Sequence, residues 1–181
     1  SYELVGVSDN IKNIKDQINK ISVSESRIFI NGPTGSGKEL IARKIHKESK
    51  RQIGPFIILN GALLDIKKYE LELFGEEKGN GSITYGALEK SSKGILLIDE
   101  ISEIPLDTQS KILRVLIDQK FKRINGSHDI NVDVRIICSS SKDIKKEIEN
   151  GNFREDLYHR LNVFEINIDP LKDRVSDIPL L

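Results

Sequence analysis

Short, continuous apolar runs recur along the chain and predict the strands of a sheet. The runs occupy positions 27–31, 56–60, 94–100, 132–138 and 163–166. An unbroken apolar run, as opposed to an alternating one, is typical of a strand that is covered on both faces. The pattern therefore predicts a mainly parallel five-stranded sheet with helices packed against it.

Apolar residues at helical spacing fill most of the intervals between these runs. The predicted helices cover 10–21, 40–46, 107–119, 143–150 and 155–161. Asp107 is the expected N-cap of the helix it begins, and Gly151 is expected to end the helix at 143–150. Strands that alternate with helices predict an α/β fold.

Two further intervals lack helical spacing. Residues 75–82 are polar and contain glycine, which predicts a surface loop. Residues 120–132 predict a β-hairpin, with Asn125-Gly126 as its turn.

A glycine-rich segment joins the first apolar run to the helix at 40–46. Its residues are Gly32, Pro33, Thr34, Gly35, Ser36, Gly37, Lys38 and Glu39. Strand, glycine-rich turn and helix are the context of a phosphate-binding loop, in which backbone N–H groups and the helix N-terminus converge on one anion. Lys38 is expected to contact the β- and γ-phosphates of ATP or ADP. The alternative is a plain glycine-rich turn.

Two adjacent carboxylates follow the apolar run at 94–100. Asp99 is the predicted Mg²⁺ ligand, and Glu100 is predicted to orient and polarise the attacking water of a nucleotide hydrolase. Neighbouring residues at a strand end point to opposite sides, so each carboxylate can serve a different partner. A solvated acidic turn is the alternative.

Composition narrows the classes of protein. A length of 181 residues suits one domain. The chain has 28 basic residues (Lys and Arg) and 28 acidic residues (Asp and Glu). It therefore lacks the excess of basic residues that is typical of a domain that binds nucleic acid by itself. Cys138 is the single cysteine, so an internal disulfide is excluded, and this fits a cytoplasmic location. We expect Cys138 to be a buried thiol. No apolar run is long enough to cross a membrane, and no signal peptide is present. The absence of methionine suggests an excised fragment.

The chain resembles the central ATPase domain of bacterial enhancer-binding activators, the AAA+ family that acts on RNA polymerase holding sigma-54. In that family Glu follows the loop lysine, as Glu39 does here. The other matching segments are Leu4-Val5-Gly6, Glu72-Leu73-Phe74-Gly75, Leu97-Ile98-Asp99-Glu100-Ile101, 111–116, 134–137, 153–163 and Asp177-Ile178-Pro179. The resemblance implies an AAA+ P-loop three-layer sandwich, with residues 1–181 as its α/β subdomain and the C-terminal helical lid lying outside this fragment.

The resemblance also implies roles for individual residues. Arg154 and Arg160 match the arginine fingers that reach the γ-phosphate of a neighbouring subunit, although they could instead form surface ion pairs with Glu155 and Asp156. Asn60 matches an Asn that holds back the catalytic Glu; a strand-end turn residue is the alternative. Further nucleotide contacts are implied for Val5, Gly6, Leu40 and Ser141.

Two segments depart from the family pattern. After the fourth run the family usually has Thr-Asn, whose Asn senses the γ-phosphate, whereas this chain has Ser140 and Ser141. The sigma-54 contact loop, Gly-Ala-Phe-Thr-Gly-Ala in the family, is several residues shorter here and lacks that motif between Gly79 and Gly86. Contact with sigma-54 polymerase is therefore doubtful, with action through Tyr85 as the alternative.

Two functions remain open from the sequence. The first is an ATPase whose hydrolysis drives conformational work in a ring of identical subunits. The second is a nucleotide-binding oligomerisation module with little or no turnover, which controls transcription through DNA binding alone. By resemblance, the full protein would be a two-component response regulator, with a receiver that meets a sensor kinase and a helix-turn-helix that binds promoter DNA.

Overall fold

The computed structural model describes residues 9–62 and 65–168, with side chains from residue 12 onward. In these ranges the strands are β1 (Ile28–Asn31), β2 (Phe56–Asn60), β3 (Gly75–Glu77), β4 (Ile83–Tyr85), β5 (Ile95–Asp99), β6 (Lys120–Phe121), β7 (Ile130–Asn131), β8 (Arg135–Ser140) and β9 (Phe164–Asn167). The α-helices are α1 (Asp9–Ile21), α2 (Lys38–Glu48), α3 (Ile66–Phe74), α4 (Ala87–Lys90), α5 (Leu106–Asp118), α6 (Ile144–Glu149) and α7 (Glu155–Leu161). A 3₁₀ turn covers Ile101–Glu103.

The main sheet has five parallel strands in the order β2-β5-β8-β1-β9. The five apolar runs are these five strands, so the predicted α/β fold with a parallel sheet is confirmed. All carboxyl ends lie at one edge, where Asn60 pairs with Asp99, and Asn31 with Ser140. Residues distant in the chain therefore meet at that edge.

Helices cover both faces of the sheet. On one face, α1 and α2 bury isoleucines such as Ile14 and Ile41 against Ile28, Ile30 and the other strand residues that point the same way. On the other face, α3 to α7 pack around the alternate strand positions, which include Phe29 and Cys138. Three layers follow directly from continuous apolar strands, because a strand that is apolar on both faces has to be covered twice.

The predicted buried thiol is confirmed. Cys138 has no exposed surface, and burial raises the pKa of its thiol. None of the helices in the described ranges is long and apolar enough to cross a membrane.

Three local predictions need correction. The N-cap of α5 is Pro105, while Asp107 lies inside the first turn, because the φ fixed by proline already sets the entry to the helix. Residues 75–82 are not a plain loop: their first three form β3, which pairs antiparallel with β4. The hairpin predicted at 120–132 exists, but only two residue pairs form it, and Asn125-Gly126 lies within a longer connection between β6 and β7.

Arg135 joins the amino end of the sheet to the end of α1. Its guanidinium donates to the carbonyls of Ile21 (2.8 Å), Ser22 (2.9 Å) and Ser26 (2.9 Å), and only 2% of the residue is exposed. Burial lowers the pKa of this guanidinium. The carbonyls at a helix C-terminus carry partial negative charge and lack helical partners, so this cation satisfies them.

We expect Arg135→Lys to lower the free energy of unfolding by about 2–4 kcal/mol, because a lysine cannot reach three carbonyls in a fork and leaves buried acceptors unpaired. Chemical denaturation measures the change. The control is Arg114→Lys on the exposed side of α5, which should stay within about 0.5 kcal/mol of the parent. Equal stability of the two variants would contradict this role for Arg135.

Candidate functional site

The glycine-rich segment 32–37, the candidate phosphate-binding loop, joins the end of β1 to the start of α2. Gly35 and Gly37 have φ of 79° and 96°, values that residues with a Cβ rarely adopt. Gly37 also accepts the first helical hydrogen bond, from the N–H of Ile41 (3.0 Å). The leading N–H groups of α2 have no partner within the helix, which leaves them available to an anion.

Lys38 is the first residue of α2 and turns back over the loop. Its ammonium donates to the carbonyls of Gly32 (2.6 Å) and Pro33 (3.0 Å), and only 6% of its side chain is exposed. The same nitrogen lies 3.7 Å from a carboxylate oxygen of Glu100. The lysine thus joins the loop to the carboxylate pair.

Glu39 points away from this centre. Its carboxylate pairs with Arg43 one turn later on α2 (3.3 Å) and is largely exposed. Glu39 therefore forms an ion pair along the surface of α2. Leu40 continues α2 beside it.

Asp99 and Glu100 bind different partners, as their adjacent positions predict. Asp99 accepts a short hydrogen bond from the hydroxyl of Ser139 on the neighbouring strand β8. Glu100 has a φ of 53°, which turns its side chain out of the strand direction, and one of its oxygens accepts from both the N–H (3.2 Å) and the hydroxyl (2.7 Å) of Ser141.

Asn60 lies opposite Asp99 in the sheet, but its amide oxygen accepts from the N–H of Ala62 (2.9 Å). Among the described residues it forms no hydrogen bond with Glu100. This geometry is that of a strand-end turn residue. Val5 and Gly6, the other implied nucleotide contacts, lie outside the described residues.

Arg154 and Arg160 stand at the two ends of α7. The guanidinium of Arg154 makes two hydrogen bonds to Asp156 (2.9 and 2.8 Å), which raise the pKa of Arg154 and lower that of Asp156. Arg160 is exposed and forms no ion pair within the described part of the chain. No contact among those residues joins either side chain to the phosphate-binding loop.

A cleft of about 740 Å³ opens beside the loop, and Gly32, Pro33 and Ser141 contribute to its wall. Glu165 of β9 also lines this cleft, and its carboxylate accepts from the amide of Asn31 (2.5 Å) and from that of Asn162 at the end of α7 (3.4 Å). Sequence reasoning missed Ser139 and Glu165, because their roles depend on strand order, which no single segment encodes.

The described side chains fit a Mg²⁺ site only in part. No cluster of three or more His, Cys, Asp or Glu residues occurs in these ranges. Asp99 offers one carboxylate at the strand edge, with one oxygen engaged by Ser139. Magnesium at nucleotide sites is often held by one or two carboxylates together with phosphates and water, so Asp99 fits as a ligand that needs the nucleotide to complete the set.

Comparison with known sequences identifies relatives along nearly the whole chain. Residues 4–167 match the family described as the Sigma-54 interaction domain. The nitrogen assimilation regulatory protein NtrX of Azorhizobium caulinodans is 46% identical over 179 residues, which are 98% of this chain and 39% of that protein. The chain thus spans about two fifths of the length of this curated relative.

Solved structures of NtrX from Brucella abortus share the fold. The complex with ADP has a TM-score of 0.94 at 44% identity and covers 99% of this chain and 40% of that one. The complex with ATP has a TM-score of 0.93 at 45% identity, and the match covers 98% of this chain and 41% of that one. Both structures are of proteins that hold a nucleotide.

Proposed function

The chain belongs to the family of sigma-54 interaction domains, and from this premise we propose that it binds ATP and hydrolyses it as part of a transcriptional response regulator. The observation that carries the proposal is the 3.7 Å approach of Lys38 to Glu100. It brings the residue expected to hold the phosphates next to the residue expected to activate water. A plain glycine-rich turn would require no such neighbour.

Binding would use groups that already lie in place. The free N–H groups at the start of α2 and the ammonium of Lys38 would surround the β- and γ-phosphates, as expected for a phosphate-binding loop. ADP and ATP occupy the Brucella relative, which supports the same ligands here. Asp99 would hold Mg²⁺, whose contribution is to neutralise charge on the phosphate oxygens.

Hydrolysis would use Glu100 to orient a water molecule towards the γ-phosphate. The water adds its oxygen to phosphorus, the bond to the β-phosphate oxygen breaks, and the products are ADP and inorganic phosphate. The side chain of Glu100 is 15% exposed, so it lies at the border between the buried sheet edge and solvent. That position suits a carboxylate that has to meet both a water molecule and the nucleotide.

The arginines at the ends of α7 would act on the nucleotide of a neighbouring subunit. Arg154 and Arg160 are six positions apart, and among the described residues neither side chain contacts the phosphate-binding loop. A guanidinium supplied by a neighbour can stabilise charge that develops on the γ-phosphate. Arg154 would have to leave Asp156 to do so. We accordingly propose a ring or dimer of identical subunits.

The hairpin of β3 and β4, residues 75–85, stands where the family contacts sigma-54. Its tip is closed by hydrogen bonds between Lys78 and Ser82 (2.9 Å) and between Lys78 and Gly81 (2.9 Å). Arg123 pairs with Glu77 (3.0 Å), which stands opposite Ile83 in the last ladder pair before the tip, and with Glu89 of α4 (2.8 Å). A short hairpin that is closed at the tip and held by an ion pair at the last residue of β3 cannot extend far, which supports a degenerate contact with sigma-54.

The second candidate is a nucleotide-binding module that turns over little ATP. The observation that favours it is the engagement of one carboxylate oxygen of Glu100 by the hydroxyl of Ser141 (2.7 Å). Under either candidate, sensor kinase and promoter DNA would be met by other domains of the full-length protein. A relative from Proteus hauseri that is 42% identical over 183 residues is named DNA-binding transcriptional regulator NtrC, which supports this assignment.

We predict that Lys38→Ala weakens ATP binding by roughly 10- to 100-fold, because charge-assisted hydrogen bonds to the phosphates are lost. Titration calorimetry on the full-length protein measures the affinity. Lys44→Ala is the matched control, since Lys44 lies on the same helix and, within ranges 9–62 and 65–168, its ion pair is with Glu48. Equal affinities in the two variants would rule out the loop as the site.

A mixing experiment tests hydrolysis between subunits. Glu100→Gln keeps both arginines but lacks the carboxylate, whereas Arg160→Ala keeps the carboxylate but lacks a finger. Each variant alone should be nearly inactive, and their mixture should recover part of the phosphate release, because some interfaces then combine an intact Glu100 with an intact Arg160. The specific activity of the parent should also rise with protein concentration. A mixture that stays inactive while the parent shows concentration-independent turnover would refute action between subunits.

We predict that the full-length protein does not open promoters with sigma-54 holoenzyme in an ATP-dependent way. The fixed hairpin leaves Ile83 and Tyr85 exposed, at 42% and 53%, but with little reach. An open-complex assay with hydrolysable ATP provides the measurement. ATP-dependent opening that is lost in Tyr85→Ala would show that the short hairpin still makes the contact.

A further inference from the structure

A cavity of about 460 Å³ lies at the amino edge of the main sheet, at the opposite end of β1 from the phosphate-binding loop. This volume is within the range of binding sites for small molecules. The cavity shares no lining residue with the cleft beside the loop. Its walls hold three guanidinium groups, two carboxylates and several aliphatic side chains. It is therefore a separate space with both charged and apolar surface.

Both carboxylates of this cavity are engaged by one guanidinium. Arg51 pairs with Glu25 (2.8 Å) and with Asp133 (2.8 Å), and it also donates to the carbonyl of Gly94 (3.2 Å). Arg135 is buried and donates to the three carbonyls at and just after the end of α1. The third guanidinium, that of Arg27, has no share in these contacts.

Arg27 is a half-buried cation with weak partners. Its guanidinium donates to the carbonyls of Arg160 (3.3 Å) and Leu116 (3.4 Å), distances beyond the usual range of N–H···O hydrogen bonds. It forms no ion pair within the described ranges, and burial and the nearby charge of Arg160 lower its pKa. A guanidinium has five N–H donors, so Arg27 can still bind an acceptor. An anion beside it would offset the repulsion from Arg160.

Apolar surface adjoins this cation. Ile28 pairs with Phe164 in the parallel ladder, and the N–H of Phe164 donates to the carbonyl of Arg27 (3.1 Å). The residues just before this pair, Arg27 and Val163, therefore lie side by side. Val163 lines the cavity and is 59% exposed, and Leu116 lines it as well. The cavity thus presents a cation directly beside aliphatic side chains.

We propose that this cavity binds a small organic acid with an aliphatic body. The carboxylate of the acid pairs with Arg27, and its aliphatic part covers Val163 and Leu116. An inorganic anion would leave the apolar surface uncovered, and a neutral apolar molecule would leave the cation without a partner. Because the site lies at the other end of β1 from the nucleotide, the proposal does not rest on ATPase activity.

Titration of the full-length protein with simple compounds tests this assignment. The main probe is hexanoate, followed by saturation-transfer NMR, and the competitors are acetate, hexanol and inorganic phosphate. Acetate has the carboxylate without the longer chain, and hexanol has the chain without the charge. Hexanoate should bind roughly 10-fold more tightly than acetate, because its additional methylene groups are buried against the aliphatic wall. Hexanol and phosphate should displace it only weakly.

Two variants locate the probe in this cavity. Arg27→Gln should weaken hexanoate binding roughly 10-fold or more, because the charge-assisted hydrogen bonds to the carboxylate are lost. Val163→Asp keeps Arg27 and its contacts with the backbone, and it should fold normally because Val163 is largely exposed. Its new carboxylate repels the probe, so the affinity should fall to a similar extent. Arg114→Gln is the control, since Arg114 is an exposed arginine that does not line this cavity.

Thermal melting establishes that each variant is folded. Hexanoate affinity that is unchanged in folded Val163→Asp would overturn the proposal, and so would an equal loss in Arg114→Gln. Phosphate that binds as tightly as hexanoate would replace the organic acid with an inorganic anion and would also refute the assignment. A parent that does not bind hexanoate more tightly than acetate would exclude a role for the aliphatic wall.

Discussion

The pairing of β5 with β8 is the contact on which the candidate site depends. Ile98 lies beside Cys138 in this parallel ladder, so the residues that follow each strand emerge side by side. Asp99 and Glu100 thereby meet Ser139 and Ser141, which come about 40 positions later in the chain. A shift of register by one residue would turn these side chains to the wrong faces and separate all of the pairs.

The two edges of the sheet are stabilised by different means. At the amino edge, guanidinium groups satisfy backbone carbonyls: the buried Arg135 does so at the end of α1, and the half-buried Arg27 donates to Leu116 (3.4 Å) and Arg160 (3.3 Å) near the ends of α5 and α7. At the carboxyl edge, polar groups hold each other through hydroxyls and carboxylates. One edge is therefore fixed by permanent charges, whereas the other contains groups that can exchange partners when a ligand arrives.

The sequence predicted most of the fold because its signals are local. A continuous apolar run is visible in four or five letters, and so is the phosphate-binding loop with Lys38. The partner of Glu100 was not predictable from the same information, since Ser141 becomes its neighbour only through strand order. The ion pairs of Arg123 that hold the hairpin were missed for the same reason: Arg123 meets Glu77 and Glu89 across more than 30 positions. Asp107 shows the opposite error, in which a good local capping signal is overridden by the preceding proline.

The burial of Cys138 has a practical consequence. A thiol without exposed surface and with a raised pKa yields very little thiolate at neutral pH, so it reacts slowly with maleimides and disulfide reagents. Because it is also the single cysteine of the 181 residues, the chain is a natural background for site-specific labelling. A cysteine introduced on the surface would therefore be the main site that reacts with a fluorophore or spin label, and the native thiol would not have to be removed first.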